Sequence, residues 1–190
     1  MNTDSNAYFS VLHPFDAYLS RWPSDQPLPS DEQLHGMKSK GMQLISEVKA
    51  LEGSYMMQLR HLGDDARTIA DYMKLQSRKI DLVLQHLLEQ ELKEGVQCQG
   101  LQFGGSNFRV NSNEPFQPGE QVKATLFIRE EVLSILCFAS VLDCHADPQQ
   151  PGHYIVELAY SVINDTEVEH LVKASLNIQQ KQLQLRKANR

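Results

Sequence analysis

With 190 residues, 41% of them apolar and 22% charged, the chain is large enough for one large domain or two small ones and too apolar for wholesale disorder. Its net charge of −6 argues against non-specific binding of DNA, RNA or an acidic membrane through charge alone. No apolar run reaches the roughly 18–20 residues of a membrane span.

The first residues, Asn2 to Ser5, are polar and lack the basic-then-apolar order of a secretory signal. Three cysteines, Cys98, Cys137 and Cys144, fall inside strand-like runs, which suits reduced core thiols of a cytoplasmic protein. Residues 1–30 carry four of the eight prolines and read as an irregular N-terminal arm. Phe9, Val11, Leu12, Phe15, Tyr18, Leu19 and Trp22 are too apolar for a free linker, so a short amphipathic turn or helix around Phe15–Trp22 is expected to dock. Pro23 ends it.

Residues 31–94 form the helical segment. Ser30 is a good N-cap, with Asp31 and Glu32 in the first turn where the helix dipole favours acids. Leu34, Met37, Gly41, Leu44, Val48, Leu51, Tyr55 and Leu62 then recur in steps of three and four, placing one stripe on one helix face. A break is expected at Leu62-Gly63-Asp64-Asp65. A second helix carries Ala66, Ile69, Met73, Ile80, Val83 and Leu87 on a similar seam, widened by Leu75, Leu82, Leu84 and Leu88. Gln76 lies inside that seam, where a polar residue sets register or oligomer number. The two segments read as a long helical hairpin, or as one broken helix in a bundle with other subunits. The Met-rich stripe, Met37, Met42, Met56, Met57 and Met73, also suits an adaptable partner surface.

At Gly95 the period changes to two. Val96 to Phe103 alternates as a strand does, a Gly104-Gly105-Ser106-Asn107 turn follows, and Phe108-Arg109-Val110 continues beyond it. Three longer strands are expected at residues 121–129, 132–142 and 154–163, separated by Arg129-Glu130-Glu131 and a Pro/Gly-rich run from Asp147 to Gly152. Four or five antiparallel strands of this length suit a small barrel. A Thr166-x-x-Glu169 capping box then opens a helix from about Glu167 to the end. The fold class is α+β: a long helical hairpin or coiled-coil segment, a small antiparallel barrel, and a C-terminal helix.

This layout resembles the atypical, tetrameric branch of the PilZ domain family. Arg78 to Leu88 is similar to that family's helix entering the barrel, Glu114-Pro115-Phe116-Gln117-Pro118-Gly119-Glu120 to its turn into the second sheet, and Leu171-Val172-Lys173 to the start of its C-terminal helix. The likeness covers residues 66–190 and little of residues 1–65. It implies self-association through the helices and work in cyclic di-GMP-linked control of motility, attachment or biofilm formation.

Ligand-binding PilZ domains use Arg-x-x-x-Arg before the barrel and [Asp/Asn]-x-Ser-x-x-Gly on the hairpin. Here Gln102, Gly104 and Asn107 take the acidic, Ser and Gly places. Asn107 is able to adopt a left-handed turn conformation, Ser106 offers a displaced hydroxyl, and Arg109 lies just beyond. Arg60, Arg67 and Arg78 lack an arginine four places on; the one Arg-x-x-x-Arg is Arg186 to Arg190. Two missing charge-assisted contacts, at roughly 1.5–3 kcal/mol each, correspond to about a hundred- to ten-thousandfold in affinity.

Enzyme chemistry has little support. Cys137 and Cys144, seven apart, belong on opposite faces of a regular strand, and no Cys-x-x-Cys pair accompanies Cys144-His145 for a metal. Gly104-Gly105-Ser106 lacks the lysine of a phosphate loop. Asp64-Asp65 and Glu130-Glu131 read as a cap and a solvated turn, and the seven histidines show no ligand spacing. The leading expectation is a non-enzymatic, cytoplasmic adaptor without cofactor. It would form a homo-oligomer through Leu34, Met37, Leu44, Val48, Leu51, Ile69, Met73, Ile80, Val83 and Leu87, and act on a protein partner. One alternative is a true cyclic di-GMP receptor recruiting Arg78, Arg109, Arg186 or Arg190; another is a structural helical scaffold with an inert barrel.

Overall fold

The computed structural model describes residues 10–59, 65–90 and 93–188. Six antiparallel strands close a barrel in the order β1-β2-β3-β6-β5-β4. They are β1 (Ser10–Arg21), β2 (Val96–Gly104), β3 (Asn107–Ser112), β4 (Gln121–Ile128), β5 (Leu133–Ala146) and β6 (Tyr154–Val162). Three helices, α1 (Asp31–Met37), α2 (Lys40–Leu59) and α3 (Asp65–Gln90), lie between β1 and β2, and α4 (Asp165–Ala188) follows β6.

The largest correction concerns the arm. Residues 10–21 form neither an irregular stretch nor a helix but a barrel strand, paired with β2 on one side and β4 on the other. Phe15, Ala17 and Leu19 point inward with period two and are buried. Pro14 hid this pattern: with no N–H to give, it sits in a register shift between Leu12 and Phe15. The barrel therefore has six strands rather than four or five, and the helical segment interrupts it, leaving at Arg21 and returning at Val96. A Cβ on Gly100 would run into the ring of Phe15, its cross-strand partner, so glycine is required where that ring crosses β2.

β5 shows why its run from Leu133 to Ala139 is apolar on both faces apart from the buried Ser134. Leu133, Ile135, Cys137 and Ala139 fill the barrel, while Leu136 and Phe138 point outward beneath Leu34 and Met42 of the helical segment. Trp22 meets Phe138 edge to face at 4.8 Å between ring centres. A register shift between Val141 and Asp143 turns the end of β5, so Cys144 packs against the same interior cluster as Cys137. The opposite-face expectation held only for a regular strand; the bulge cancels it.

The single apolar stripe expected from Leu34 to Leu62 is divided. α1 ends at Met37, and Ser39 caps α2 by accepting the N–H of Met42 at 3.0 Å. This break turns Leu34 into the barrel wall, where it is fully buried. The break expected at residues 62–65 lies mostly outside the described residues; α3 begins at Asp65. α2 and α3 pack antiparallel where they meet the barrel, with Ile45, Leu84 and Leu88 in one cluster with Tyr18, Phe127 and Val132. Lys49 bridges to Asp81 at 3.0 Å.

α4 seals one end of the barrel with Leu171, Ala174 and Ile178. β4 pairs with β1 only from Asp16 onward, and the amides of Gln179 and Gln182 donate to the carbonyls of Ser10 and Leu12 beyond that point. The helix starts at Asp165, with the carbonyl of Asn164 accepting from Glu167 and Val168; Thr166 falls inside the first turn and is not the cap. Glu130 and Glu131 do not form a merely solvated turn: Lys181 of α4 contacts both at 2.9 Å.

Candidate functional site

The β2–β3 hairpin gathers the residues that the sequence singled out. Gln102 and Arg109 are cross-strand neighbours, and the Arg109 guanidinium donates to the Gln102 carbonyl oxygen at 3.4 Å. The amide of Gln102 donates in turn to the Ser10 hydroxyl at 2.8 Å. Asn107 donates to Glu157 on β6 at 3.4 Å, and Glu157 is also the cross-strand partner of Arg109. Five polar side chains from four strands thus form one row on the barrel wall. Spacing alone does not point to Ser10, because Pro14 masks the β1 pattern, or to Glu157, because strand order is not visible locally.

The turn itself differs from the expected one. Among the described non-glycine residues only Val132 has a positive φ, so Asn107 is not left-handed. Gly105 is required for another reason: a Cβ there would lie 2.8 Å from Val172 Cγ2 of α4, which presses on the turn. Ser106 is exposed, and its carbonyl accepts the backbone N–H of Tyr160 at 3.1 Å. Buried Gly104 receives the Tyr160 hydroxyl on its carbonyl at 3.4 Å, while the Tyr160 ring stacks on Phe108. Arg78 stands exposed on α3 and Arg186 exposed in the last turn of α4, and neither shares a hydrogen bond with this row; Arg190 lies outside the described residues.

In this row Arg109 is the strand neighbour of the acidic Glu157, and the Gln102 amide is engaged on both its oxygen and its nitrogen. An anion arriving here must displace those contacts before it gains its own. The described residues hold no group of three His, Cys, Asp or Glu placed to bind a metal. Burial pushes the Cys98 thiol up to about 11 and holds the Cys137 thiol well above its ordinary value, so neither is a ready nucleophile.

The second candidate surface is the outside of the helical pair. Ile69, Met73, Ile80, Val83 and Leu87 of α3 are all exposed, Val83 to 62%. Its inward row is instead Ser77, Asp81, Leu84 and Leu88, of which the last two are buried. On α2 and α1, Met37, Leu44 and Leu51 are exposed, while Val48 packs against the helix–barrel cluster and Leu34 is buried. The ten seam positions therefore divide into eight that face out and two that hold the chain together. A cleft of about 460 Å³ between helices and barrel is lined by Met37, Met42, Leu87 and Phe127, with Lys123 and Glu94 paired at its rim.

The third feature is the junction of the two parts. Lys38, in the α1–α2 break, reaches Glu167 in the first turn of α4 at 2.9 Å and also donates to Asn164 at 2.9 Å. Burial raises the Glu167 carboxyl above its ordinary range, and the Lys38 ammonium pulls it the other way. No helix among the described residues is long and apolar enough to cross a membrane.

No protein-family model matches the chain, and a search of curated proteins finds no significant match. Among solved structures, the chain is similar to a pathogenic protein from Xanthomonas campestris described as a new tetrameric PilZ domain self-assembled via an unusual helical bundle. The TM-score is 0.56 at 14% identity, covering 95% of this chain and 92% of that one. A second, partial likeness is to the Bacillus subtilis inhibitor of motility MotI/DgrA, with a TM-score of 0.41 at 20% identity over 45% of this chain and 43% of that one. The chain has the fold of the helix-bearing, tetrameric PilZ domain, as its sequence had suggested.

Proposed function

We propose that this PilZ-fold chain is a non-enzymatic signalling adaptor of the cytoplasm, self-associating through α2 and α3 and acting on a protein partner in cyclic di-GMP-linked regulation of motility, attachment or biofilm formation. One observation carries the proposal: α3 turns its apolar heptad outward and packs on its own chain with the row that contains Ser77 and Asp81. A helix that satisfied itself within one chain would do the reverse. Each seam side chain, once buried, contributes about 1.5–3 kcal/mol, enough together to outweigh the polar Gln76. The Xanthomonas protein is described as assembling via a helical bundle, and the same use of these helices would cover the exposed seam here.

Sedimentation velocity across a concentration series tests the reading. Concentration-dependent assembly is expected; a monomer at every concentration overturns it. Nucleotide binding is the second reading, and the engaged state of Gln102 and Arg109 weighs against it. Calorimetric titration with cyclic di-GMP separates the two, since saturable heat would restore a receptor. The helical segment is also integral to the barrel, since it covers Leu136, Phe138 and Phe127 on the outer wall.

A further inference from the structure

Besides its heptad, α3 exposes a second apolar stripe, and α2 exposes one of its own. On α3 it runs Leu75–Lys79–Leu82; on α2 it runs Leu44–Glu47–Leu51. Leu75 and Leu82 are 52% and 61% exposed, Leu44 and Leu51 45% and 55%. Glu47 and Lys79 are exposed as well, and neither has an ion-pair partner among the described residues. The spacings are three then four on α2 and four then three on α3. Laid antiparallel, the two stripes coincide: Leu44 meets Leu82, Glu47 meets Lys79, and Leu51 meets Leu75.

At about 100° per residue, the Ile69–Met73–Ile80–Val83–Leu87 heptad lies between the α3 face that touches its own α2 and the Leu75–Leu82 stripe. A helix with that order of faces has its own α2 on one flank, a bundle core in front, and room for another helix on the other flank. A helix that brings an acid between two leucines complements this flank, and the α2 stripe of a second copy, laid antiparallel, does so in register.

We infer that α2 of one copy docks antiparallel on α3 of another, with Glu47 against Lys79 between the Leu44–Leu82 and Leu51–Leu75 contacts. This rests on the self-association proposed above and specifies its pairing. A rotation axis along the bundle repeats the contact in every copy.

The test uses the full chain in low salt. Glu47→Lys and Lys79→Glu each place like charges in contact and are expected to weaken association about tenfold or more; the double exchange, E47K/K79E, restores it to within a few-fold of the parent. If the parent associates but neither single variant weakens it, or the double is no better than the worse single, the pairing is wrong while self-association stands. If the parent is a monomer throughout, both readings fall. Carbodiimide cross-linking of mixed light and heavy isotopic chains supplies an independent readout. A Glu47–Lys79 link between copies is expected, and its absence from an associated sample overturns the pairing.

Discussion

Lys38 Nζ and Glu167 Oε1 stand 2.9 Å apart with side chains only 5% and 2% exposed, joining the α1–α2 break to the start of α4 across the outer wall of β5. Desolvating both charges offsets much of their attraction, so the pair locks an arrangement more than it adds stability. Removing one partner leaves the other charge stranded. Lys38→Met or Glu167→Leu alone is expected to cost about 3–5 kcal/mol, whereas the double variant is expected to recover most of that loss. Equilibrium unfolding in urea of all four proteins checks this, and an additive double loss would refute it.

Val132 is 2% exposed and has a φ of 51°, a conformation β-branched residues avoid, because its side chain must reach the cluster of Ile45, Leu84 and Leu88. The strain is of the order of 1–3 kcal/mol. Val132→Ala loses the contacts and keeps the strain; Val132→Gly loses the contacts and relieves it. The glycine variant is expected to unfold at a higher temperature than the alanine variant, the inverse of the usual order within regular structure.

Gly105→Ala places a methyl 2.8 Å from Val172 Cγ2 on α4. Overpacking of this kind is expected to cost about 1–3 kcal/mol. Adding Val172→Ala should return a good part of the loss, which calorimetric melting of the single and paired variants will measure. No return would mean that the turn, not the helix contact, demands glycine.

His170 is half-buried on α4, and burial, with Lys173 next in effect, holds its imidazole below its ordinary value. The unfolded chain therefore binds the proton more tightly, and this contribution to stability is present above about pH 6.5 and lost as the pH falls through the lower folded value. Denaturant midpoints should decline from pH 7.5 to pH 5. His170→Gln should flatten that part of the profile, and an unchanged slope would exclude His170 as its source.

Ile80→Glu with Val83→Glu tests the seam without touching the core, because both side chains are exposed. Association is expected to fall sharply. The stability of the separated chain should change by only about 0.5 kcal/mol per site, as at ordinary surface positions. Sedimentation and unfolding of the same samples distinguish this outcome from misfolding.

Local periodicity determined much on its own: the strands around β4 to β6, the helices from Asp31 onward, and the heptad of α3 are all legible in residue spacing, because each pattern is written within a few turns or pleats. The sequence equally placed Gln102, Asn107 and Arg109 on one hairpin. Only the tertiary structure decided what depends on distant partners. Pro14 masked β1, whose identity as a strand rests on finding β2 and β4 on either side. The division of Leu34 from Leu44 required the barrel wall that receives one of them. The placement of Arg109 beside Glu157, and the pairing of Lys38 with Glu167, depend on strands and helices 48 and 129 positions apart in the chain meeting in space. Spacing specifies which face a side chain occupies, while long-range packing decides what that face meets.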